Sequence, residues 1–248
     1  HGHFIPAGTR LLTPELAGQV TYDSNFYGVE RSLAPMGNVR FVPTNLSQTV
    51  DWLRSRKPRV AALTCSPPDA DGWMSRSLWA ASLHRNVLEQ CELVLVEVNP
   101  RLPDIASDGA CHTRLHVSEV DGIISSDRPL VETPVAAGNE ADRRIAGYIA
   151  KLVPDGACLQ LGLGGLANIV GECLVHAGKR DLGIQTEVLS TGVMELMRSG
   201  VVNNSRKQTC PGRTVCGHLV GGQELWDFAG GNPVFCQREL SWVNDARN

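Results

Sequence analysis

Short apolar runs rich in β-branched residues alternate along the chain with longer stretches whose apolar residues recur at helical spacing. The short runs are VRFVP, RVAALTCS, CELVLVEVN, DGIISS, ACLQLGLG, LGIQTEVL and RTVCGHLVG. The stretch SRSLWAASLHRNVLEQ, between the second and third runs, has helical spacing and predicts a crossover helix. This alternation predicts an α/β protein with open, mostly parallel sheets and flanking helices.

A change of composition divides the pattern in two. The Pro-bearing link LVETPVAAG leads into an amphipathic helix that should begin at Asn139 or Glu140, with Ile145, Ile149 and Leu152 on one face. We therefore place a boundary at about residue 135, which gives an N-terminal domain over 1–135 and a C-terminal domain over 136–248. The second domain then continues as strand, glycine loop, helix, strand, helix and strand.

Charge and cysteine content limit the classes of function. Lys and Arg number 23 against 26 Asp and Glu and are scattered, so no basic stripe for nucleic acid is present. No apolar run approaches the ~20 residues that span a bilayer, which predicts a soluble protein without membrane contact. The eight cysteines form no C-x-x-C pair, which favours reduced thiols and a cytoplasmic location. The seven histidines show no zinc-binding spacing, and we predict no metal site.

A glycine loop follows the strand-like run ACLQLGLG. Gly162, Gly164 and Gly165 precede a helical stretch, so free N–H groups at the helix N-terminus could bind an anion. With Ala167 the spacing also satisfies the dinucleotide-binding pattern G-x-G-x-x-A, which requires an acidic residue about 20 residues further on. Glu187 lies in roughly that place, so a nicotinamide-dependent oxidoreductase is one hypothesis.

Glu187 also supports a different chemistry. It stands in GIQTEVLSTGV, where a carboxylate aimed at the mouth of the sheet could attack an activated acyl group, with the glycine loop supplying oxyanion donors. A solvated or ion-paired side chain is the structural alternative for such a glutamate. The loop TCSPPDADGWMS is equally consistent with a site-lining loop and with a plain turn.

Several segments, taken in order, resemble the acetyl-CoA hydrolase/transferase family, which includes 4-hydroxybutyrate and butyrate:acetate CoA-transferases. They are SPPDADG, VNPRLP, HVSEVDGIISSDRPLVE, GACLQLGLGGLANIV, DLGIQTEVLSTGVMELMRSGVVNN, GGQELWDFAGGNP and WVNDARN. The resemblance implies two related α/β domains with the active site between them.

The resemblance also implies roles for individual residues. It places the catalytic glutamate on Glu187 and an acyl-oxygen loop on Gly162 to Ala167, with the N–H groups of Gly164 and Gly165 as oxyanion donors. Gly221 and Gly222 are candidates for CoA contact, for which a structural turn is equally consistent, and Asn244 is a further candidate.

The implied reaction moves CoA from a short-chain acyl-CoA to a carboxylate through a glutamyl-CoA thioester. Acyl-CoA and carboxylates are then substrates, no cofactor is permanently bound, and a homo-oligomer is expected. Acyl-CoA hydrolysis on the same site and a non-catalytic relative are the alternatives, beside the oxidoreductase.

The chain departs from the family pattern at several positions. Gln185 and Thr186 stand where the family has His and Ser, and GGLA lacks the family's Ile-Pro. The chain begins at His1, and family members extend further at both ends, including a later glycine-rich loop. We therefore expect that N-terminal and C-terminal portions are lacking.

Overall fold

The computed structural model describes residues 12–25, 35, 37–45, 48–82, 85–109, 112–133 and 137–248. His1, His3, His84 and Cys111, which are among the histidines and cysteines counted above, lie outside the described residues. So does the domain boundary predicted near residue 135, and the division into 1–135 and 136–248 stays a prediction. The chain forms two compact units, residues 1–57 and 58–248.

In the described part of the first unit, two short strands, β1 (Tyr22–Ser24) and β2 (Val39–Phe41), pair in parallel, and the helix α1 (Thr49–Ser55) follows them. Arg40 donates from Nε to the Asp23 carboxylate at 2.6 Å, which ties the two neighbouring strands together by their side chains. Asn25 donates from Nδ2 to Thr49 Oγ1 at 2.6 Å, so the start of α1 is fastened to the residue after β1.

The first half of the second unit holds a three-stranded parallel sheet and an antiparallel pair. The sheet has the order β3-β5-β7, and β4 pairs with β6. The elements are β3 (Val60–Cys65), β4 (Trp73–Ser75), α2 (Arg85–Leu88), β5 (Leu93–Val98), β6 (Arg114–His116) and β7 (Gly122–Ser125). One face of the sheet packs on a small core that includes Cys65, Met74 and Val96.

The prediction of a continuous crossover helix between β3 and β5 is wrong. Its place is taken by β4, a 3-10 segment over Ser77–Ser82 and the single turn α2. Trp79 leaves the helical conformation within the segment, with φ −119° and ψ 21°. The carbonyl oxygen of Ser77 accepts a hydrogen bond from Gln237 Nε2 at 2.7 Å, so a tertiary contact competes with the helical bond at this point.

The second half of the unit is a four-stranded parallel sheet with the order β11-β10-β9-β8. The elements are α3 (Glu140–Leu152), β8 (Cys158–Leu159), α4 (Gly165–His176), β9 (Gly183–Ser190), α5 (Thr191–Arg198), β10 (Thr214–Val220), α6 (Gln223–Ala229), β11 (Phe235–Gln237) and α7 (Leu240–Val243). β9 and β10 lie in the centre and are buried along most of their length, as expected for parallel strands covered on both faces. The predicted α/β class with mostly parallel sheets is confirmed.

The helix predicted to begin at Asn139 or Glu140 is α3, which begins at Glu140. Asn139 caps it, accepting from the Asp142 N–H at 3.0 Å while the Asp142 carboxylate accepts from the Asn139 N–H at 2.9 Å. The predicted apolar face is wrong in part, because Ala146 and Ala150 are buried, whereas Ile145 and Leu152 are exposed. Small side chains at the buried positions let α3 approach α4 closely.

The described cysteines are free thiols with different surroundings. Cys65, Cys216 and Cys236 are buried, whereas Cys158 is exposed. No helix among the described residues is both long and apolar enough to cross a bilayer.

Candidate active site

Glu187 lies within the central strand β9, three residues before its end at Ser190, rather than at the strand terminus that the sequence suggested. Thr186 and Val188 on either side are buried in the core, whereas Gln185 and Glu187 share the opposite face and are half-buried. The carboxylate therefore projects from a strand that is paired with β10 on either side of Glu187, at Thr186 and Val188.

Asn244 holds the carboxylate of Glu187. Its side-chain Nδ2 donates to Glu187 Oε2 at 2.8 Å. Asn244 is the residue that ends α7, and Gln185 Nε2 donates to the carbonyl oxygen of Val243 at 3.4 Å. Two side chains on the same face of β9 thus meet the C-terminal end of α7, and a donor from that end orients the acid.

The glycine loop begins directly beside Glu187. Leu159 of β8 pairs with Ile184 of β9, and the Thr186 hydroxyl donates to the carbonyl oxygen of Leu161 at 2.8 Å. Gly162 is the next residue after Leu161, so the loop leaves the sheet next to the catalytic candidate. This contact places the first glycine of the loop, Gly162, near the backbone of β9 at Glu187, and the approach of Gly164 and Gly165 to the carboxylate stays a prediction.

Two positions of the loop favour glycine, one because of its backbone conformation and the other because of close packing. Gly164 has φ +119°, a conformation that side-chain-bearing residues rarely adopt. A Cβ on Gly165 would come within 3.0 Å of the backbone of Ala137 and Gly138, so this glycine lets the start of α4 approach the segment before α3. Gly162 and Gly164 are exposed, and a Cβ on either would meet no atom within 4 Å, so the loop faces open space.

Gly221 and Gly222 lie elsewhere along the sheet. Gly217 is the β10 residue beside Glu187, because Cys216 pairs with Thr186 and His218 with Val188. Four further residues at ~3.3 Å each place Gly221 about 13 Å away along the strand direction. The carbonyl oxygen of Gly221 accepts from the Thr133 N–H at 2.9 Å.

Gly222 has a visible structural reason to be glycine. A Cβ on Gly222 would come within 2.6 Å of the Glu132 carboxylate, so that side chain occupies the space a larger residue would need. The two glycines are not next to the carboxylate of Glu187, and their contact with CoA stays a prediction.

Two further residues near the site were not predicted from the sequence. Gly217 is the neighbour of Glu187 on β10 and is buried. Gln237 is fully buried, and its Nε2 donates to the carbonyl oxygens of Gly217 at 3.0 Å and Ser77 at 2.7 Å. An isolated glycine inside a strand pattern is a recognised signal of close approach, but the role of Gln237 depends on distant partners that no local pattern reveals.

Lys207 fastens the beginning of β9 and was also missed. Its Nζ donates to the carbonyl oxygens of Ile184 at 2.7 Å and Arg213 at 2.8 Å, and its stem passes over Gly183, where a Cβ would lie 2.5 Å from Lys207 Cγ. Burial lowers the pKa of Lys207 below its ordinary value, because desolvation disfavours the ammonium form.

The strand order argues against the dinucleotide-binding hypothesis. In the doubly wound nucleotide fold the strand order reverses beside the glycine loop, and this reversal opens the crevice for the cofactor. Within the described residues, β8 to β11 follow one another in simple sequence across the sheet without such a reversal. Glu187 is also held by Asn244 in the middle of its strand, not at the strand end where a ribose would be bound.

Comparison with known proteins identifies relatives. The chain is 40% identical over 221 residues to succinyl-CoA:cyclohexane-1-carboxylate CoA transferase of Geobacter metallireducens, covering 89% of this chain and 49% of the relative. It is 34% identical over 220 residues to 4-hydroxybutyrate coenzyme A transferase of Clostridium kluyveri, covering 88% of this chain and 50% of the relative. The chain is homologous to CoA transferases. No family model matches it.

Solved structures agree with this homology. RipA from Yersinia pestis superposes with a TM-score of 0.86 at 34% identity, over 95% of this chain and 55% of RipA. A 4-hydroxybutyrate CoA-transferase from Porphyromonas gingivalis superposes with a TM-score of 0.78 at 27% identity, over 93% of this chain and 59% of that protein. The resemblance and the CoA-transferase-like fold predicted from the sequence are confirmed. The chain spans about half the length of the curated relatives it matches.

Proposed function

We propose that this protein transfers CoA between a short-chain acyl-CoA and a carboxylate acceptor, with Glu187 as the nucleophile. The observation that carries the proposal is the half-buried carboxylate on β9, held by Asn244 at 2.8 Å and flanked by the start of the glycine loop. The homologous CoA transferases support the reaction class.

The first half-reaction forms an enzyme thioester. The Glu187 carboxylate attacks the acyl-CoA carbonyl carbon and forms a C–O bond, the C–S bond breaks, and CoA leaves as a thiolate, which gives a mixed anhydride of Glu187 and the acyl group. The thiolate then attacks the glutamyl carbonyl carbon, the anhydride C–O bond breaks, and the first carboxylate leaves. No proton moves, because a glutamate carboxylate is an anion near pH 7 and the thiolate is generated as an anion.

The second half-reaction runs these steps in reverse with another carboxylate. The acceptor attacks the glutamyl-CoA carbonyl and displaces the thiolate, which then attacks the acceptor's acyl carbon and releases the Glu187 carboxylate. Each attack places negative charge on a carbonyl oxygen. We propose that the N–H groups of Gly164 and Gly165, at the start of the 12-residue helix α4, stabilise that charge.

Asn244 has a positioning role in this proposal. By holding Oε2 it limits rotation of the carboxylate and presents the other oxygen to the acyl carbon. No bound cofactor takes part in this chemistry, and we further propose, from the resemblance, a homo-oligomer located in the cytoplasm.

Intact mass after incubation with acetyl-CoA or butyryl-CoA, followed by borohydride reduction, tests the proposal. The wild type should show a CoA adduct or its reduced product at Glu187, and Glu187→Ala and Glu187→Gln should show neither. Glu172→Gln, a change at an exposed position on α4, is the matched control and should behave as the wild type. The same variants should also be made in a chimera in which this chain replaces the aligned segment of the Geobacter relative.

The outcomes separate the hypotheses. An adduct that survives in Glu187→Ala, or none in the chimera, would rule out Glu187 as the nucleophile. Free CoA accumulating without a carboxylate acceptor would indicate hydrolysis. Calorimetric titration that shows saturable binding of NAD, and none of CoA, would restore the oxidoreductase hypothesis.

A further inference from the structure

Two cysteines and an aspartate from distant parts of the chain converge beside the edge strand β11. The Asp108 carboxylate and the sulfur atoms of Cys210 and Cys236 all lie within 4.8 Å of one another. Cys236 Sγ is 3.5 Å from Asp108 Oδ2. The three residues are separated by as many as 128 positions in the sequence, so only the tertiary fold brings them together.

The fold builds this cluster, called here the thiol cluster (Asp108, Cys210 and Cys236), on fixed backbone. Cys236 is fully buried in β11 and pairs with Val215 of β10. The segment that leads to Asp108 is held to the same strand, because the Gln237 N–H donates to the carbonyl oxygen of Ala106 at 2.9 Å.

The backbone at Cys210 is unusual for its residue type. Cys210 adopts φ +51°, a left-handed conformation that favours glycine or asparagine, so its thiol is presented from a backbone that its type disfavours. Such a residue persists where its surroundings hold it in place, and here its thiol faces the other two members of the thiol cluster.

The spacing agrees with a tetrahedral metal centre. Zinc binds thiolate sulfur at about 2.3 Å and carboxylate oxygen at about 2.1 Å, which in a tetrahedron separates sulfur from oxygen by about 3.6 Å and sulfur from sulfur by about 3.8 Å. The observed separation between Cys236 Sγ and Asp108 Oδ2 is 3.5 Å. Three protein ligands leave a fourth position for water.

A cation already lies against the thiol cluster. Arg238 donates from Nη2 to Asp108 Oδ2, its Nη2 is 3.7 Å from Cys210 Sγ, and its guanidinium lies 4.0 Å above the ring of Trp242. Asp108 Oδ2 accepts from Arg238 and from the Cys236 thiol, whereas Oδ1 is buried and has no hydrogen-bond partner among the described residues. Asp108 also lines a cavity of about 380 Å³.

We propose that Asp108, Cys210 and Cys236 form a binding site for a thiophilic divalent cation of the zinc class. On binding, the two thiols release their protons to solvent and the ion forms two bonds to sulfur and one to Asp108. Three anionic ligands and a divalent ion carry one net negative charge, which the Arg238 guanidinium neutralises while it orients the carboxylate. The local spacing of His and Cys predicted no metal, because these ligands come from three separate segments.

Titration of the reduced, chelator-treated 248-residue protein with Co²⁺ and Zn²⁺ tests the site. Co²⁺ should produce a sulfur-to-metal charge-transfer band and intense visible bands of a tetrahedral thiolate complex. Native mass spectrometry with Zn²⁺ should show a gain of one zinc less two protons. Cys210→Ser and Cys236→Ser should each weaken binding at least about 100-fold, because even second-shell changes cost 10- to 100-fold. Cys173→Ser, in α4, should bind as the wild type.

Folding of the variants is checked by circular dichroism, and Asp108→Asn gives a variant with nearly unchanged shape. It should also bind Co²⁺ at least about 10-fold more weakly. The proposal is wrong if Co²⁺ gives no charge-transfer band, or if Cys173→Ser loses as much affinity as Cys236→Ser. It is also wrong if intact mass shows that Cys210 and Cys236 form a disulfide, losing two hydrogens, while reduced protein binds no metal.

Discussion

The side-chain amide of Asn244 donates a 2.8 Å hydrogen bond to the carboxylate of Glu187, joining the end of α7 to the central strand β9. The two residues are 57 positions apart. If Glu187 is the nucleophile, this bond sets the direction from which it attacks. Asn244→Ala should lower kcat of CoA transfer about 10- to 100-fold, because a small misplacement of a reacting group costs rates of this order.

Asn244→Asp is the sharper test of the same contact. Two carboxylates would then face each other, so activity should be lower than in Asn244→Ala at neutral pH and should recover partly at acid pH, where one of them is protonated. Asn203→Ala, which removes an exposed amide that donates to Asp181, is the control and should leave the rate unchanged. Equal rates in the Asp and Ala variants across pH would contradict the positioning role.

Two substitutions in the glycine loop should have different effects, one on stability and the other on catalytic activity. Gly165→Ala should lower the free energy of unfolding by about 1–3 kcal/mol, because the added methyl group meets backbone atoms at 3.0 Å. Gly162→Ala meets no atom within 4 Å and should change stability by less than about 0.5 kcal/mol, yet lower kcat/KM by crowding the face beside Glu187. Urea unfolding and steady-state kinetics on both variants make the comparison, and unchanged kinetics in Gly162→Ala would remove the loop from the site.

The buried amide of Gln237 should stabilise the unit that contains both sheets. Gln237→Ala removes donors from the carbonyl oxygens of Ser77 and Gly217 and leaves a cavity, which should cost about 2–4 kcal/mol in urea unfolding. Gln223→Ala, at an exposed position on α6, should cost less than about 0.5 kcal/mol. Similar losses in the two variants would show that the network of Gln237 contributes little.

The lowered pKa of Lys207 predicts how the free energy of unfolding changes with pH. Burial lowers its pKa in the folded protein below the ordinary 10.5, so between these two values the unfolded chain binds more protons than the folded protein. Stability contributed by this group should therefore rise with pH through that alkaline window and stay at its lower level below it.

Urea unfolding of the wild type and of Lys207→Met at a series of pH values measures the contribution of Lys207 to the pH dependence of stability. At neutral pH the variant should lose about 1–3 kcal/mol, because two buried carbonyl oxygens lose their donor. Lys151→Met, on the exposed face of α3, should show neither effect. A difference between the wild type and Lys207→Met that does not change with pH would contradict the lowered pKa.

Strand alternation, helix capping and the glycine loop were predictable from the sequence because each depends on neighbouring residues. The predicted runs RVAALTCS, CELVLVEVN and LGIQTEVL contain the strands β3, β5 and β9, Asn139 caps α3, and the loop before α4 contains a glycine with φ +119°. The crossover between β3 and β5 was predicted as a continuous helix, whereas Ser77 adopts φ +55° and accepts a hydrogen bond from Gln237, 160 residues away, and neither feature is revealed by the local pattern.

Hydrophobic period and motif order predicted the α/β class, the homology to CoA transferases and Glu187 as the candidate nucleophile, because these patterns are local properties of the chain. In contrast, the positions of Asn244 and Gly217 beside Glu187, the distance of Gly221 from it, and the meeting of Asp108 with two cysteines depend on how the chain folds. Strand register and helix docking decide such neighbours, since they are set by packing across the whole sheet and not by the residues on either side.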